Sequence, residues 1–251
     1  MAMEIIVQPD ARTAARKVAE LIGQSLAAQP GLVLGLASGR TMEPVYEELI
    51  RMHRQDGLDF SRCRTFNLDE YIGLAADDPR SFHYFMRRHF FDHVNIVSSH
   101  AHLPDGMASD LEAECRHYEK LIAVNGGIAF QLLGIGLNGH IGFNEPESPL
   151  DSRTRVQELS PLTRAQNASS FPSLEEVPQQ AITMGIGTIL EARRCVLLAT
   201  GLGKAKIVAK AIEGPLTTTV AATALQLHPN CTVVLDEAAA SALKNKIVAR
   251  E

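Results

Sequence analysis

The apolar run Ile128 to Leu133 ends abruptly in GIGLNGHIGFNEP, Gly134 to Pro146, and this break constrains the fold more than any other feature. A run of this length bounded by glycines reads as a strand buried on both faces of a parallel sheet. The same order recurs elsewhere. The run Gly31 to Ala37 leads into Ser38, Gly39, Arg40 and Thr41, and the run Cys195 to Thr200 leads into Gly201 and Lys204. Strand, glycine turn and helix in alternation predict an α/β fold, an open and mostly parallel sheet with helices on both faces. In such sheets ligands bind at the carboxyl ends of the strands, where these glycine turns fall.

The remaining elements follow from periodicity. A first strand over residues 3–8 precedes a helix capped by Asp10, with Val18, Leu21, Ile22 and Leu26 on its buried face. Pro44 sits in the first turn of a second helix that buries Val45, Leu49 and Met52. A strand ends at Asn67, and Asp69 and Glu70 follow in a loop at its carboxyl end. Ser81 caps a helix whose Phe82, Phe85, Met86, His89 and Phe90 form a stripe of core spacing. A helix over Leu111 to Leu121 leads back to the central strand. Strands at 181–184, 195–200 and 232–235 then alternate with helices near 187–193, 203–213 and 236–248. The polar stretch near 147–178, with Pro149, Pro161 and Pro172, is long for a connection and reads as a lid, with a β-like stretch at Arg155 to Leu159. No repeat or linker divides residues 1–251, so one domain is expected.

Charge and cysteine usage narrow the function. A formal charge of −5 argues against nucleic acid as a partner but leaves room for a local basic pocket. No apolar run reaches the ~20 residues that span a bilayer, and no signal peptide is visible, so neither membrane nor export is expected. Cys63, Cys115, Cys195 and Cys231 show no CxxC pair or zinc-finger spacing, and a reducing cytoplasm is the expected compartment. Cys63, Cys195 and Cys231 sit in or beside apolar runs and read as core thiols.

Three places carry residues fit for chemistry. His140 and Glu145 lie in the glycine break, where a histidine could exchange protons near neutral pH and the glutamate could orient it. A histidine satisfied within its own loop would look the same in sequence. Asp69 and Glu70 are either a solvated acidic turn or a pair whose repulsion raises one pKa into the range of a general base. The turn Ser38 to Thr41 is either a plain βα turn or an anion site built from backbone N–H groups and a helix dipole.

The stretch GIGLNGHIGFNEP, with FNLDEYIGL at 66–74 and SFHYFMRRHFFDHV at 81–94, resembles the glucosamine-6-phosphate deaminase family over nearly the whole chain. The resemblance implies a Rossmann-like sheet and conversion of an amino-sugar phosphate, glucosamine 6-phosphate, with water to fructose 6-phosphate and ammonia, without a cofactor or metal. It implies Asp69 as the base at C2, His140 as the ring-opening group, and Glu145 and Asn138 as its companions. Ser38, Gly39, Arg40, Thr41 and Lys204 match the phosphate-binding positions, and Glu70 and Gly139 are expected against the substrate.

The chain departs from the family's pattern in three places. Arg40 stands where many deaminases have a small residue, while Ser169 stands where many have a lid arginine. These two differences suggest that Arg40 supplies the charge the lid has lost. Asn138 replaces an aspartate found in some members, so it can orient His140 but cannot raise its pKa by charge. Gln157 and Pro149 replace the lysine and serine of the allosteric, hexameric deaminases, which implies no allosteric phosphate site and leaves a homo-oligomer open.

Other readings compete. The substrate could be the galactosamine 6-phosphate epimer or a related amino-sugar phosphate. A 6-phosphogluconolactonase is disfavoured by Asn144, Glu145 and Pro146 and by the Asp69–Glu70 pair. A non-catalytic sugar-phosphate sensor would be expected to carry a DNA-binding segment and to have lost Asp69, His140 and Glu145.

Overall fold

The structure, a computed structural model, describes residues 3–244. Seven strands form one parallel sheet: β1 (Glu4–Gln8), β2 (Val33–Leu36), β3 (Arg64–Asn67), β5 (Ala101–His102), β6 (Phe130–Leu133), β9 (Cys195–Ala199) and β10 (Cys231–Asp236). Their order across the sheet is β1-β10-β9-β6-β2-β3-β5. From β2 the chain builds outward through β3 to β5, whereas from β6 it builds the other way through β9 and β10. The sense of winding therefore reverses between β2 and β6. The turns that leave these two strands flank the crevice where an α/β sheet takes its ligand.

The inner strands are buried along their full length, from Val33–Leu36 through Phe130–Leu133 to Cys195–Ala199. Around them pack α1 (Ala11–Ala28), α2 (Glu43–Asp56), α4 (Leu111–Val124), α6 (Ile186–Leu190), α7 (Ala205–Glu213) and α8 (Glu237–Ala240). Helix α1 begins where Asp10 accepts the Thr13 backbone N–H at 2.7 Å, and it buries Val18, Leu21, Ile22 and Leu26 as their spacing predicts. Gly57 ends α2 in a left-handed conformation, φ 74°, that a side chain would strain. All four cysteines are buried and free.

The structure corrects several expectations. Asp69 and Glu70 are not in a loop. They open β4 (Asp69–Tyr71), which pairs antiparallel with β8 (Gln180–Thr183), and β8 pairs in turn with β7 (Arg155–Glu158). The strand expected at 181–184 is thus β8, which ends at Thr183 and belongs to a separate three-stranded sheet, not to the parallel one. A second apolar cluster of Tyr71, Phe143, Leu159, Phe171 and Val177 covers it. In α3 (Phe82–His89), Ser81 caps as expected, but only Met86 of the helix is buried, with Phe90 just beyond it. Phe82 turns to the second cluster, 4.8 Å from the Tyr71 ring, and His89 stacks on Phe85 at 4.5 Å. The expected helix over 236–248 is only the short α8 among the described residues, and 245–248 lie outside them.

Candidate active site

Two glycine turns and the junction of the two sheets build the site. The turn after β2 runs through Ser38 and Gly39, whose φ of 111° suits glycine, into α2. No side-chain hydrogen bond caps the start of α2; its first N–H groups are taken within the turn, Glu43 N–H by the Arg40 carbonyl at 3.3 Å and Val45 N–H by the Met42 carbonyl at 3.0 Å, and Pro44 has none. Arg40 reaches out of this turn, and its guanidinium donates to the Ser169 hydroxyl in the segment expected as a lid. The two positions that depart together from the family's pattern therefore touch. Ser38 Oγ accepts from Asn67 Nδ2 at 3.3 Å. Lys204, at the head of α7, donates its ammonium to the Ile135 carbonyl at 2.6 Å, and burial lowers its pKa. The phosphate-binding candidates and the glycine break after β6 thus share one edge of the sheet.

The glycine break is tightly folded. Gly136 N–H donates to the His140 carbonyl at 2.9 Å, and a Cβ on Gly136 would lie 2.2 Å from the imidazole Cε1. Only glycine lets the ring lie flat on that backbone. Gly139, φ 87°, packs so closely on Val220 that a Cβ would come within 2.6 Å of it. Asn138 bridges the loop: its Oδ1 accepts the His140 backbone N–H at 3.1 Å and its Nδ2 donates to Glu145 Oε2 at 2.7 Å. Asn138 thus holds His140 through the main chain, not through the ring. The other Glu145 oxygen accepts the Ser160 backbone N–H at 3.0 Å. Burial pushes the His140 pKa down, Glu145 opposes this by charge, and Lys204 reinforces it.

Asp69 stands on the opposite wall. It is 6% exposed, and its Oδ2 lies 3.6 Å from where a Cβ on Gly142 would be. That places it against the loop that carries His140 and Glu145. Among the described residues no hydrogen bond reaches its carboxylate. Burial, with the charge of Glu70, pushes its pKa up to about 8. Glu70 occupies a different place from the one expected. Successive strand residues face opposite ways, and its carboxylate accepts from Tyr71 N at 2.8 Å, Phe82 N at 3.0 Å, His83 N at 2.9 Å and His83 Nδ1 at 2.8 Å. Glu70 therefore anchors the start of α3, and its effect on Asp69 is electrostatic.

Sequence reasoning missed two contributors on α5 (Pro161–Asn167). Ser160 caps this helix, and the fully buried Thr163 places Oγ1 3.3 Å from His140 Nδ1. The serine–proline start was a readable helix signal, but nothing local tied it to His140. In the sequence Arg155 stands out only as the start of a β-like stretch. Its guanidinium donates to Asn144 Oδ1, Ser148 Oγ and Gln157 Oε1 at 2.8, 2.9 and 2.9 Å, bracing the end of the glycine break. Among the described residues, no three His, Cys, Asp or Glu side chains are grouped to hold a metal ion, and no helix is long and apolar enough to cross a membrane.

Residues 9–234 match the family of glucosamine-6-phosphate isomerases and 6-phosphogluconolactonases, and the chain belongs to that family. A glucosamine-6-phosphate deaminase of Thermoanaerobacter pseudethanolicus is 47% identical over 97% of this chain and 96% of its own. One from Geobacillus sp. strain WCH70 is 48% identical over 99% and 100%. A solved structure described as a monomeric glucosamine-6-phosphate deaminase superposes with a TM-score of 0.94 at 45% identity, covering 96% of this chain and 100% of its own. A 6-phosphogluconolactonase from Trypanosoma cruzi, TM-score 0.74 at 22% identity over 98% and 99%, shares the fold.

Proposed function

We propose that this site converts glucosamine 6-phosphate and water to fructose 6-phosphate and ammonia. The observation that carries the reading is Asp69, a buried carboxylate that no hydrogen bond reaches among the described residues, its pKa pushed up to about 8, set against the loop of His140 and Glu145. A base so placed is poised near working pH, where proton abstraction is most effective. The phosphate of the sugar would lie across Ser38, Gly39, Arg40, Thr41 and Lys204.

The chemistry follows from the arrangement. His140 passes the proton of the C1 hydroxyl to the ring oxygen as the C1–O bond of the ring breaks, giving the open aldehyde. Asp69 takes the C2 proton, the electron pair forms the C1–C2 double bond, and the aldehyde oxygen accepts a proton. Asp69 then returns its proton to C1, which keeps its hydroxyl, as the nitrogen lone pair forms the C2–N double bond; the nitrogen releases a proton, balancing the one taken up by the oxygen, and is left as an imine at C2. Water adds to that imine and ammonia leaves, so atoms and charge balance without an oxidant or reductant. Glu145, held by Asn138 and Ser160, places a negative charge near His140 that stabilises its protonated form in transit. The four buried thiols suit the cytoplasm, where this sugar phosphate would be met. Residues 1–251 act as a single unit in this reading, with the lid near 147–178 over the phosphate.

The test is ammonia release from glucosamine, galactosamine and mannosamine 6-phosphates, with 6-phosphogluconolactone hydrolysis as control. Release from the gluco substrate above the others is expected. Lactone hydrolysis without ammonia from any amino sugar would refute the proposal.

A further inference from the structure

We propose that Thr163 is the positioning residue that fixes the working orientation of His140, holding Nδ1 so that Nε2 is the nitrogen exchanging protons with the sugar. The inference rests on the ring-opening role just assigned to His140.

Each neighbour of the histidine is already engaged elsewhere. Asn138 Oδ1 takes the His140 backbone N–H, not the ring. The Glu145 oxygens are taken by Asn138 Nδ2 and Ser160 N. Among the described residues, the imidazole's hydrogen-bond partner is the Thr163 hydroxyl, at 3.3 Å from Nδ1. Gly136 backs the ring so closely that a Cβ there would lie 2.4 Å from Nε2. The ring is thus held between backbone on one side and one hydroxyl at its edge.

That hydroxyl is itself positioned. Thr163 is fully buried, its N–H donates to Ser160 Oγ at 3.2 Å, and Ser160 Oγ donates to Thr163 Oγ1 at 3.1 Å. Thr163 Oγ1 accepts from Ser160 Oγ on one lone pair, which leaves the other for an N–H at Nδ1. With Nδ1 keeping its proton and donating to this hydroxyl in the neutral and the protonated ring alike, Nε2 is the nitrogen that gains and loses one. A ring-opening shuttle passes through both states in each turnover, and a hydroxyl serves both without a charge of its own. A carboxylate in that place would favour the imidazolium and hold the proton.

Thr163 and Ser160 both lie on the lid segment. One short helix therefore sets the imidazole through Thr163 and the Glu145 carboxylate through the Ser160 N–H.

Thr163→Val keeps the shape and removes the hydroxyl, and Thr163→Ser keeps the hydroxyl. Turnover of the pyranose substrate should fall about 10- to 100-fold in the valine variant, as expected for a misaligned catalytic group, and recover to within about threefold in the serine variant. Affinity for a reduced, open-chain amino-sugar alcohol phosphate, which needs no ring opening, should stay within about threefold in both. In 15N-histidine-labelled protein, the His140 Nδ1 resonance, assigned by its loss in His140→Gln, should move in Thr163→Val and return in Thr163→Ser. An unmoved Nδ1 resonance or wild-type turnover in the valine variant would overturn the proposal. So would equal losses in valine and serine, or weakened binding of the open-chain analogue. If the resonance responds as expected but no amino-sugar phosphate releases ammonia, Thr163 keeps its hold on the ring and the substrate reading fails instead.

Discussion

Asp69→Asn should make the protein more stable while abolishing turnover, and the gain in stability should grow with pH. In the folded chain its pKa rises from 3.8 to about 8, chiefly by burial and then by the charge of Glu70. Between those two values the unfolded chain has released the proton and the folded chain still holds it. The unfolded state then binds fewer protons, so stability falls as pH rises through this window and levels off above about 8. Each pK unit corresponds to about 1.36 kcal/mol, so the penalty is at most roughly 1.6 kcal/mol at pH 5 and roughly 5.5 kcal/mol at pH 8. Buried sites respond as if their dielectric were well above that of dry protein, so about half of each figure is a fairer expectation. Asparagine has nearly the same shape and carries no charge at any pH. The variant's advantage should therefore widen by about 2 kcal/mol from pH 5 to pH 8, or about 4–8 °C in melting temperature for a domain of this size.

The assay is thermal unfolding of both proteins at intervals of half a pH unit. The difference between the two curves isolates residue 69 from every other titrating group. Ammonia release should fall by about 10²–10⁴-fold in the variant, the usual contribution of a positioned base. Exchange of the C2 proton with solvent should fall in parallel. A melting difference that stays flat from pH 5 to pH 8, or one in which asparagine is the less stable at pH 8, would show that Asp69 is not a strained carboxylate. C2 exchange near the wild-type rate would show that another group is the base.

Two further outcomes follow from neighbouring residues. Arg40→Ser should lower kcat/KM for phosphorylated substrates by about one to two decades, because a hydrogen bond to a charged group is worth roughly 1.5–3 kcal/mol, and Ser169→Arg should restore activity, since the two side chains meet; an equal loss on an unphosphorylated amino sugar would refute the assignment. Glu70→Gln should move the Asp69-dependent limb of the kcat/KM profile to lower pH, by removing the charge that helps raise that pKa, and should lower the melting temperature because four N–H donors lose their carboxylate; a limb that stays in place would mean the two carboxylates do not interact.

What could be read from the residues depended on the range of the forces involved. The parallel sheet was legible because each inner strand is a short apolar run ended by a turn, and helix starts were legible where Asp10 and Ser81 cap them. The small sheet was not. Its β4 has three residues, its β7 is half-exposed and polar, and its pairs join Asp69 and Arg155 to Thr183, far away in the chain. The stripe on α3 had core spacing, but spacing cannot say which core, and Phe82 belongs to the second one. His140, Glu145 and Asp69 were found by their place after strands and by family motifs. Thr163 has neither mark, since it looks like any helix threonine until α5 is folded against the glycine break.

The junction of the two sheets explains why these residues meet. Leu68 is the hinge point. Its N–H donates to Leu36 of the parallel sheet at 3.0 Å, and its carbonyl accepts from Met184, beside β8, at 2.7 Å. Asp69 is the next residue, so its carboxylate is placed by both sheets at once. The parallel sheet fixes it relative to the glycine turn at Ser38 and Gly39, because Leu36 and Asn67 are register partners and Asn67 donates to Ser38. The small sheet fixes it relative to the lid, because β8 carries β7, and β7 leads within a few residues to Ser160 and Thr163. Thr183 adds a direct strut, its hydroxyl accepting the Phe143 N–H at 3.0 Å from the glycine break. The proposed base, the proposed proton shuttle and the turn proposed for the phosphate come from distant parts of the chain and are thus referred to one backbone joint. Positioning of this kind, on strands instead of free loops, holds reacting groups to the tolerance that proton transfer requires. The local costs gather at the same joint: among the described residues Asn67 Oδ1 is buried without a hydrogen-bond partner, and no hydrogen bond reaches the buried Asp69 carboxylate two residues on. Such departures from local optimality mark the place where the fold is given over to chemistry.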